Sequence, residues 1–294
     1  MNTSENKPYS PFNNFTHSNT YNKYVNATED FLKSDSIVAK FAFVILILFV
    51  FVIILRIALA LMTYFTKDVT SSKLINGSID AKQLIVVPQD PSDPSTVTIN
   101  RSVNASDGIE FTWSTWINID NLTYNNGKYK CVFYKGNDYN NNPDNSEEGH
   151  QGLNFPNNAP GLYIAPDTNN LLIIMNTFNV INEKIVIENI PLHKWFNIMI
   201  RCKDTTLDVF INGNIVKSHN LHGVPKQNYG NVYIAPNGGF AGDISNLWYY
   251  NYALGTETIS TIVKNGPNIT LVSSNNNTKY DYLSLKWLFS SISS

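Results

Sequence analysis

The longest uninterrupted apolar stretch of the chain runs from residue 41 to residue 55 and contains no polar side chain. After Arg56 the apolar pattern resumes and continues to Met62, and aromatic side chains of the kind found at membrane interfaces follow. A helix of about 25 residues is roughly 37 Å long, which exceeds the roughly 30 Å of a bilayer's hydrocarbon core. The pattern predicts one transmembrane helix over residues 37–65, which contacts the lipid bilayer between Phe41 and Phe65.

The segments on either side of this helix do not fix its orientation in the membrane. Residues 1–36 are polar and show no sustained apolar period, so they are predicted to form a disordered arm. The positive-inside rule favours neither orientation, because basic residues are balanced at the two ends of the apolar span. Its N-terminal side carries Lys23, Lys33 and Lys40, and its C-terminal side carries Lys67, Lys73 and Lys82, with Arg56 at that boundary.

From residue 66 to residue 270 the pattern changes to short apolar runs separated by turn residues. In the run over residues 108–120, Phe111, Trp113, Ile117 and Ile119 fall on one face of a strand. The pair Asn212 and Gly213 tolerates positive φ and predicts a tight hairpin. A helical period appears only near residues 256–264, where Thr256 is the expected N-cap and Gly266 follows the end. This region is predicted to be all-β, a two-sheet antiparallel sandwich.

Several of these segments resemble a laminin-G-like, concanavalin A-like jelly-roll domain of the lectin and glucanase type. The run from Phe111 to Ile117 is similar to an early strand of that family, and Ile211 to Gly213 to its hairpin. The closing strand is matched by Gly242, Ile244, Leu247, Tyr250, Ala253 and Leu254. The resemblance implies that Trp195 opens a core strand and is buried there. The structural positions that it implies are Trp113, Trp195, Asn212, Gly213, Gly242 and Trp248.

The order of a polar arm, one span and a β-domain also resembles membrane-anchored proteins of large DNA viruses of algae and protists. The segments that carry this resemblance are INRSVNASDGIEFTWSTWI at residues 99–117, MNTF at 175–178 and NIPLHKWF at 189–196. That resemblance implies a single-pass protein of a host or virion membrane. Residues 271–294, after the sandwich, are predicted to be a linker and a short amphipathic helix that either packs back on the sandwich or contacts the membrane or a partner. Its apolar face consists of Tyr282, Leu285, Leu288, Phe289 and Ile292.

Composition excludes several classes of function. The net charge is −2 and 15% of residues are charged, so there is no basic excess to neutralise phosphates and no nucleic-acid partner is predicted. The two cysteines, Cys131 and Cys202, are too few for a disulfide framework or a cysteine-based zinc cluster. Whether these two residues pair stays open at this stage.

The residues give little sign of catalysis. The resemblance to glucanases would imply two catalytic carboxylates in the pattern Glu-x-Asp-x-x-Glu, and this pattern does not occur in the chain. The acids of the predicted strands are single, and Asp208 and Asp243 are expected to be solvated beside turns. His219 and His222 are expected on the surface and not in a metal site, because no acid or cysteine lies near them in sequence. A divergent glycoside hydrolase is therefore the alternative interpretation.

One long polar segment, residues 136–161, carries oxygen ligands of the kind that calcium prefers. The candidate ligand-binding residues are Asp138, Asn140, Asp144, Glu147 and Glu148. Their spacing matches no fixed calcium motif, so the leading interpretation is a solvated or ligand-adapting loop without a metal or cofactor, and calcium is the alternative. The sequence as a whole predicts a non-enzymatic, membrane-anchored binding or structural module that recognises a glycan or a protein, or that contacts coat proteins.

Overall fold

The computed structural model describes residues 36–65, 70–93, 96–137, 149–156 and 158–272. The chain divides into two compact units, residues 1–67 and residues 68–294. The predicted polar arm before residue 36 and the predicted helix near the C-terminus lie outside the described residues.

The first unit contains helix α1, Ile37–Phe65, with the bounds that the apolar pattern predicts. Apart from Lys40 and Arg56, its side chains from Ile37 to Met62 are apolar, and almost all of them are exposed. Its segment Ile37–Met62 is long and apolar enough to cross a membrane, judged by length and composition.

The second unit is built from β-strands and one short helix. Within the described residues, helix α2 is Thr256–Asn265, and the strands are β1 Ser71–Lys73, β2 Ser78–Asp80, β3 Ile85–Val87, β4 Val103–Asn104, β5 Ile109–Asn121, β6 Lys130–Gly136, β7 Gly161–Ile164, β8 Leu171–Met175, β9 Glu183–Ile187, β10 Phe196–Asp204, β11 Thr206–Ile211, β12 Asn214–Asn220, β13 Asn231–Ile234 and β14 Ala241–Tyr250.

The strands form two antiparallel sheets, which confirms the predicted sandwich. In the first sheet, neighbouring strands follow the order β1, β14, β5, β10, β11, β12, while β2 also pairs with β14 and β4 with β5. In the second sheet, the order is β3, β13, β6, β7, β8, β9. Strands β12 and β9 are therefore the edge strands at the same side of the two sheets, where they contact each other.

The core lies between the sheets and follows the period of two that the sequence shows in β5. Phe111, Trp113, Ile117 and Ile119 all lie in one buried cluster. The Trp113 ring stacks on Phe133 of the second sheet with ring centroids 5.0 Å apart. Aromatic pairs at this separation add stabilisation beyond the area that they bury, so Trp113 links the two sheets near the middle of β5.

The outer faces of both sheets are partly covered, which explains why some strands are buried on both sides. Ile259 of α2 packs with Met199 and Phe210 on the first sheet. Helix α2 begins after Gly255, whose backbone is extended, so the prediction that Thr256 is the N-cap is wrong by one position. Gly266 follows the helix end with a φ of 73°, as the sequence predicts.

The hairpin between β11 and β12 is present at the predicted position. Asn212 and Gly213 have φ values of 49° and 81°, which is the left-handed region that such a tight turn requires. The Asn212 side chain also accepts a hydrogen bond from the Asn197 backbone N–H at 2.9 Å. The turn is thus tied to the start of β10 as well as closing its own hairpin.

The prediction that Trp195 is buried at a strand start is wrong. Strand β10 begins one residue later, and Phe196 is the fully buried side chain, with an exposed fraction of 0%. Trp195 precedes the strand and is half-buried. Because side chains alternate along a strand, a shift of one residue moves a side chain to the opposite face, and Phe196 shares the inner face with Ile198 and Ile200.

Both cysteines are buried free thiols in the described structure, so the pairing left open by the sequence does not form here. Cys202 lies in the core between the sheets, and Cys131 lies in the cluster that covers the outside of the second sheet. Burial raises the pKa of the Cys202 thiol to about 12, and burial also raises that of Cys131. Neither thiol is in the reactive thiolate form near neutral pH.

Candidate functional site

The loop residues that the sequence singles out as ligand-binding candidates lie outside the described residues. They are Asp138, Asn140, Asp144, Glu147 and Glu148. Calcium binding by this loop stays a prediction. The residue before this gap is Asn137, which directly follows β6.

A pocket of about 110 Å³ opens between the two sheets at one end of the sandwich. The first sheet contributes Phe111, Trp113 and Tyr249, and the second sheet contributes Lys135 and Met175. A cavity needs about 10–15 Å³ of such volume to hold one water molecule, so this pocket has room for several solvent-sized groups. The pocket is therefore a candidate ligand-binding site.

The floor of the pocket is apolar and rigidly packed. Tyr249 packs against the Trp113 ring with centroids 4.9 Å apart, and its hydroxyl forms a buried hydrogen bond of 2.8 Å with Ser102. Burial raises the pKa of Tyr249 to about 12, although the Ser102 hydrogen bond acts in the opposite direction. The phenol therefore stays neutral at physiological pH, and the floor presents fixed apolar rings to a ligand.

Lys135 gives the pocket a buried cation. It lies near the end of β6, and its Nζ donates a hydrogen bond of 2.7 Å to the backbone oxygen of Gly230. Burial lowers the pKa of Lys135 to about 8. Since an ammonium loses hydration in such a position, this side chain gains when an anionic group enters the pocket beside it.

The segment from Lys226 to Gly230 forms one wall. The Lys226 backbone N–H donates to the Asn176 backbone oxygen at 2.9 Å, and Asn228 Oδ1 accepts the Gly230 N–H at 2.7 Å. Tyr229 has 72% of its surface exposed at the pocket. Gln227 Nε2 is buried without a hydrogen-bond partner among the residues that the structure describes. This wall thus presents the exposed Tyr229 ring and the Gln227 amide donor to a ligand in the pocket.

The segment before β4 also lines the pocket, and Gln89 holds it in place. Gln89 Oε1 accepts the Ile99 N–H at 2.9 Å, and its Nε2 donates to the Val97 backbone oxygen at 3.1 Å. The Gln89 backbone N–H donates to Asn231 Oδ1 at 3.0 Å. These bonds fix the segment that carries Arg101, an exposed cation, into the pocket lining.

The described lining of the pocket is cationic and amphipathic. It contains Arg101, Lys135 and Lys226 and, within the described part of the chain, no aspartate or glutamate. Sequence reasoning missed these residues, because they are far apart along the chain and each is an ordinary surface-type residue in its local context. Such a lining suits a ligand that has an anionic group and a flat or apolar face.

A second cluster contradicts the expectation for the two histidines. Glu183 Oε1 lies 2.7 Å from His219 Nε2 and 2.7 Å from His222 Nδ1. The prediction that no acid completes a site with these histidines is wrong, because β9 brings Glu183 next to them from a distant part of the sequence. Burial raises the pKa of Glu183, but the hydrogen bonds from His219 and His222 outweigh it, and the net pKa is lowered.

Asp208 also differs from its prediction. It is buried in the middle of β11, and its Oδ2 accepts a hydrogen bond of 2.7 Å from the Arg201 guanidinium. Its other oxygen accepts the Ser218 hydroxyl at 2.6 Å. Arg201 and Asp208 are register partners across β10 and β11, so this acid has a structural cross-strand contact.

Asp243 is half-buried within β14 and not beside a turn, so its predicted solvated position is wrong as well. Burial and the charges of Asp120 and Asp80 raise its pKa. Glycoside hydrolases use paired carboxylates, one of which has a raised pKa and acts as the general acid. Asp243 is therefore the described acid to examine first under the hydrolase alternative. Glu183, Asp208 and Asp243 do not line the pocket.

A family profile described as "Concanavalin A-like lectin/glucanases superfamily" matches residues 92–260. That range includes β4 to β14 and most of the pocket. No sequence among curated proteins matches the chain.

Solved structures with a similar fold include binding domains of botulinum neurotoxins. The serotype D ligand-binding domain in complex with N-acetylneuraminic acid is 14% identical, with a TM-score of 0.44, covering 67% of this chain and 42% of that one. The neurotoxin DC binding domain in complex with rat synaptotagmin II is 15% identical, with a TM-score of 0.43, covering 62% and 40%. The serotype G binding domain is 12% identical, with a TM-score of 0.43, covering 67% and 50%. The chain thus spans half or less of the length of these domains.

Proposed function

Because the chain belongs to the concanavalin A-like lectin/glucanase superfamily, we propose that it is a membrane-anchored, lectin-like binding module whose pocket takes an acidic carbohydrate. One observation carries this proposal. The pocket between the sheets combines the buried Lys135 ammonium and the Arg101 guanidinium with an exposed Tyr229 ring.

Each of these three side chains, together with the neighbouring Gln227 amide, has a role in the proposed complex. The planar guanidinium of Arg101 matches a carboxylate or sulfate in a bidentate geometry. The Lys135 ammonium has one described hydrogen bond, to Gly230, and has further donors for an anion. The ring of Tyr229 stacks against the apolar face of a sugar, and Gln227 Nε2 donates to a ring hydroxyl.

The proposal is binding without hydrolysis. Glycosidic bond cleavage needs two carboxylates on opposite sides of the bond, about 5–5.5 Å apart or about 6.5–9.5 Å apart. The described lining residues of the pocket include no carboxylate. A divergent glycoside hydrolase stays the alternative, and a hydrolysis assay on β-glucans distinguishes it from a binding module, because only a hydrolase releases reducing ends.

We also propose that α1 anchors the protein in a lipid bilayer as a single-pass helix. Its segment Ile37–Met62 supports this role, because it is long and strongly apolar overall and its charged residues are limited to Lys40 and Arg56. The resemblance to membrane-anchored proteins of large DNA viruses extends the proposal to a host or virion membrane. Resistance of the full chain to extraction from membranes at alkaline pH tests the anchor independently of any ligand.

The binding proposal is tested with the full chain in detergent on a glycan array that holds carboxylated, sulfated and neutral glycans. We expect signals on acidic glycans that Arg101→Gln and Tyr229→Ala both reduce at least about tenfold, since each removes one charge-assisted or stacking contact. Lys217→Gln is the matched control, because Lys217 is exposed on β12 and does not line the pocket.

Array signals of equal strength for acidic and neutral glycans would contradict the proposed site. So would a loss of signal in Lys217→Gln as large as that in Arg101→Gln. A chain that binds no glycan at all would instead favour the structural interpretation, in which the sandwich contacts coat or membrane proteins.

A further inference from the structure

The side edge of the sandwich carries a cluster of metal-ligating side chains, separate from the pocket. We propose that Glu183, His219 and His222 bind one divalent transition-metal ion of the zinc type. Glu183 is the first residue of β9, His219 lies in β12, and His222 follows in the loop after β12. Glu183 and His219 therefore come from the edge strands of the two sheets, and His222 comes from the loop that follows one of them.

The distances already approach those of a metal site. One atom from each side chain, a carboxylate oxygen or a ring nitrogen, lies within 4.8 Å of the other two. A tetrahedral zinc ion with ligand bonds of about 2.0–2.1 Å places its ligand atoms roughly 3.4 Å apart. Small side-chain rotations thus convert the two hydrogen bonds of 2.7 Å from the histidines to Glu183 into three bonds to one ion.

The donor set selects the class of metal. Two imidazole nitrogens and one carboxylate oxygen suit zinc and similar transition metals, whereas calcium and magnesium prefer oxygen ligands throughout. Three protein ligands leave a fourth position for water or another group. His222 has 70% of its side chain exposed, so this fourth position faces solvent.

The carboxylate is held in place for this role. Only 5% of the Glu183 side chain is exposed, and both of its oxygens accept the His222 backbone N–H, at 3.2 and 3.1 Å. The Asn179 side chain in turn donates to the His222 backbone oxygen at 2.6 Å. Such supporting hydrogen bonds orient ligands before the ion arrives, which favours tight binding.

A bound ion would link the two sheets at the side where β9 and β12 are the edge strands. Glu183 is 36 residues from His219 and 39 residues from His222 along the chain. An ion that binds the folded state and not the unfolded one stabilises the fold according to its concentration and affinity. Zinc should therefore raise the unfolding temperature of the sandwich.

The test is isothermal titration of the full chain in detergent with zinc chloride, after removal of metals with a chelator. The protein must carry no polyhistidine tag. We expect one ion per chain and a higher unfolding temperature with zinc but not with magnesium. Glu183→Gln and His219→Gln should each weaken zinc binding at least about tenfold. His193→Asn is the control and should leave the affinity unchanged, because His193 is an exposed histidine outside the cluster, at a φ of 57° that asparagine tolerates.

Two results would overturn the proposal. The first is the absence of saturable zinc binding by the unmodified chain. The second is zinc binding that Glu183→Gln leaves intact, which would assign the ion to other residues. If Glu183→Gln does not fold, His222→Gln replaces it, because His222 is largely exposed and its loss should leave the fold in place.

Discussion

The buried ammonium of Lys135 leads to a specific expectation for how stability changes with pH. Its pKa is about 8 in the folded chain, against 10.5 for an ordinary lysine. Between these two values the unfolded chain binds more protons than the folded chain, so the free energy of unfolding must rise with pH there. Below pH 8 the lysine is charged in both states and its burial penalty is fully present.

The size of the effect follows from the shift. Each pKa unit corresponds to about 1.4 kcal/mol, so the gap between 10.5 and about 8 gives about 3 kcal/mol at most. Lys135→Met removes the titrating group and keeps an unbranched side chain. The free energy of unfolding of the unmodified chain, minus that of Lys135→Met, should therefore increase by up to about 3 kcal/mol from pH 8 to pH 10.5.

The assay is denaturant unfolding of the full chain in detergent at a series of pH values, followed by tryptophan fluorescence. Trp113 and Trp116 are buried in the sandwich and report its unfolding. Lys128→Met, a change at an exposed lysine, is the control and should show no such trend relative to the unmodified chain. A difference that stays constant or falls as pH rises would refute the reasoning, because it would mean that the Lys135 ammonium remains hydrated in the folded state.

Three further predictions concern the architecture. Phe196→Ala should lower the free energy of unfolding by about 3–5 kcal/mol, whereas Trp195→Ala should lower it clearly less, because the Trp195 side chain is only half-buried. Equal losses for the two variants in denaturant unfolding would contradict the strand register. Gly242→Ala should destabilise the β-domain by about 1–3 kcal/mol or more, since the φ of Gly242 is 146° and an added Cβ would lie 1.9 Å from the Asn118 backbone oxygen. An unchanged unfolding midpoint would argue against this backbone geometry. Deletion of residues 1–66 should release a soluble, cooperatively unfolding β-domain, and membrane association of that fragment in flotation assays would place a second anchor elsewhere.

The sandwich could be predicted from local pattern alone. Alternation in β5 put Phe111, Trp113, Ile117 and Ile119 on one face, and all four lie in the core. The hairpin at Asn212 and Gly213 was equally visible, because its signal is two adjacent residues that accept positive φ. Helix α1 needed only a count of apolar residues. These features depend on neighbours in the sequence.

The choice between two adjacent aromatics was made wrongly, because the family resemblance was given more weight than the local pattern. Trp195 and Phe196 stand side by side, and the register of β10 against β5 fixes which of them faces the core. Phe196 pairs with Ile117 in that register. Family resemblance favoured the tryptophan, whereas the alternation of Phe196, Ile198 and Ile200 along the strand would have favoured the phenylalanine.

Both sites depend on contacts between residues that are distant in sequence, and local pattern does not show these. The pocket joins Arg101 and Lys135 to the segment near Tyr229. Glu183 meets His219 and His222 only because β9 and β12 are edge strands on the same side of the sandwich. The order of the strands in the two sheets decides which residues meet, and that order is set by pairing between strands that are distant in sequence.

In the proposed complex, the pocket recognises the negative charge of a carbohydrate. This recognition is measured by titration calorimetry of the full chain with the carboxylated glycan that gives the strongest array signal, and with the same glycan after its carboxylates are converted to neutral methyl esters. We expect the ester to bind at least about tenfold more weakly, since it loses the charge-assisted contacts to Arg101 and Lys135. The affinity for the acidic form should also fall as pH rises through about 8, where Lys135 loses its proton. Equal affinity for both forms, with no dependence on pH in that range, would contradict the proposed recognition of charge.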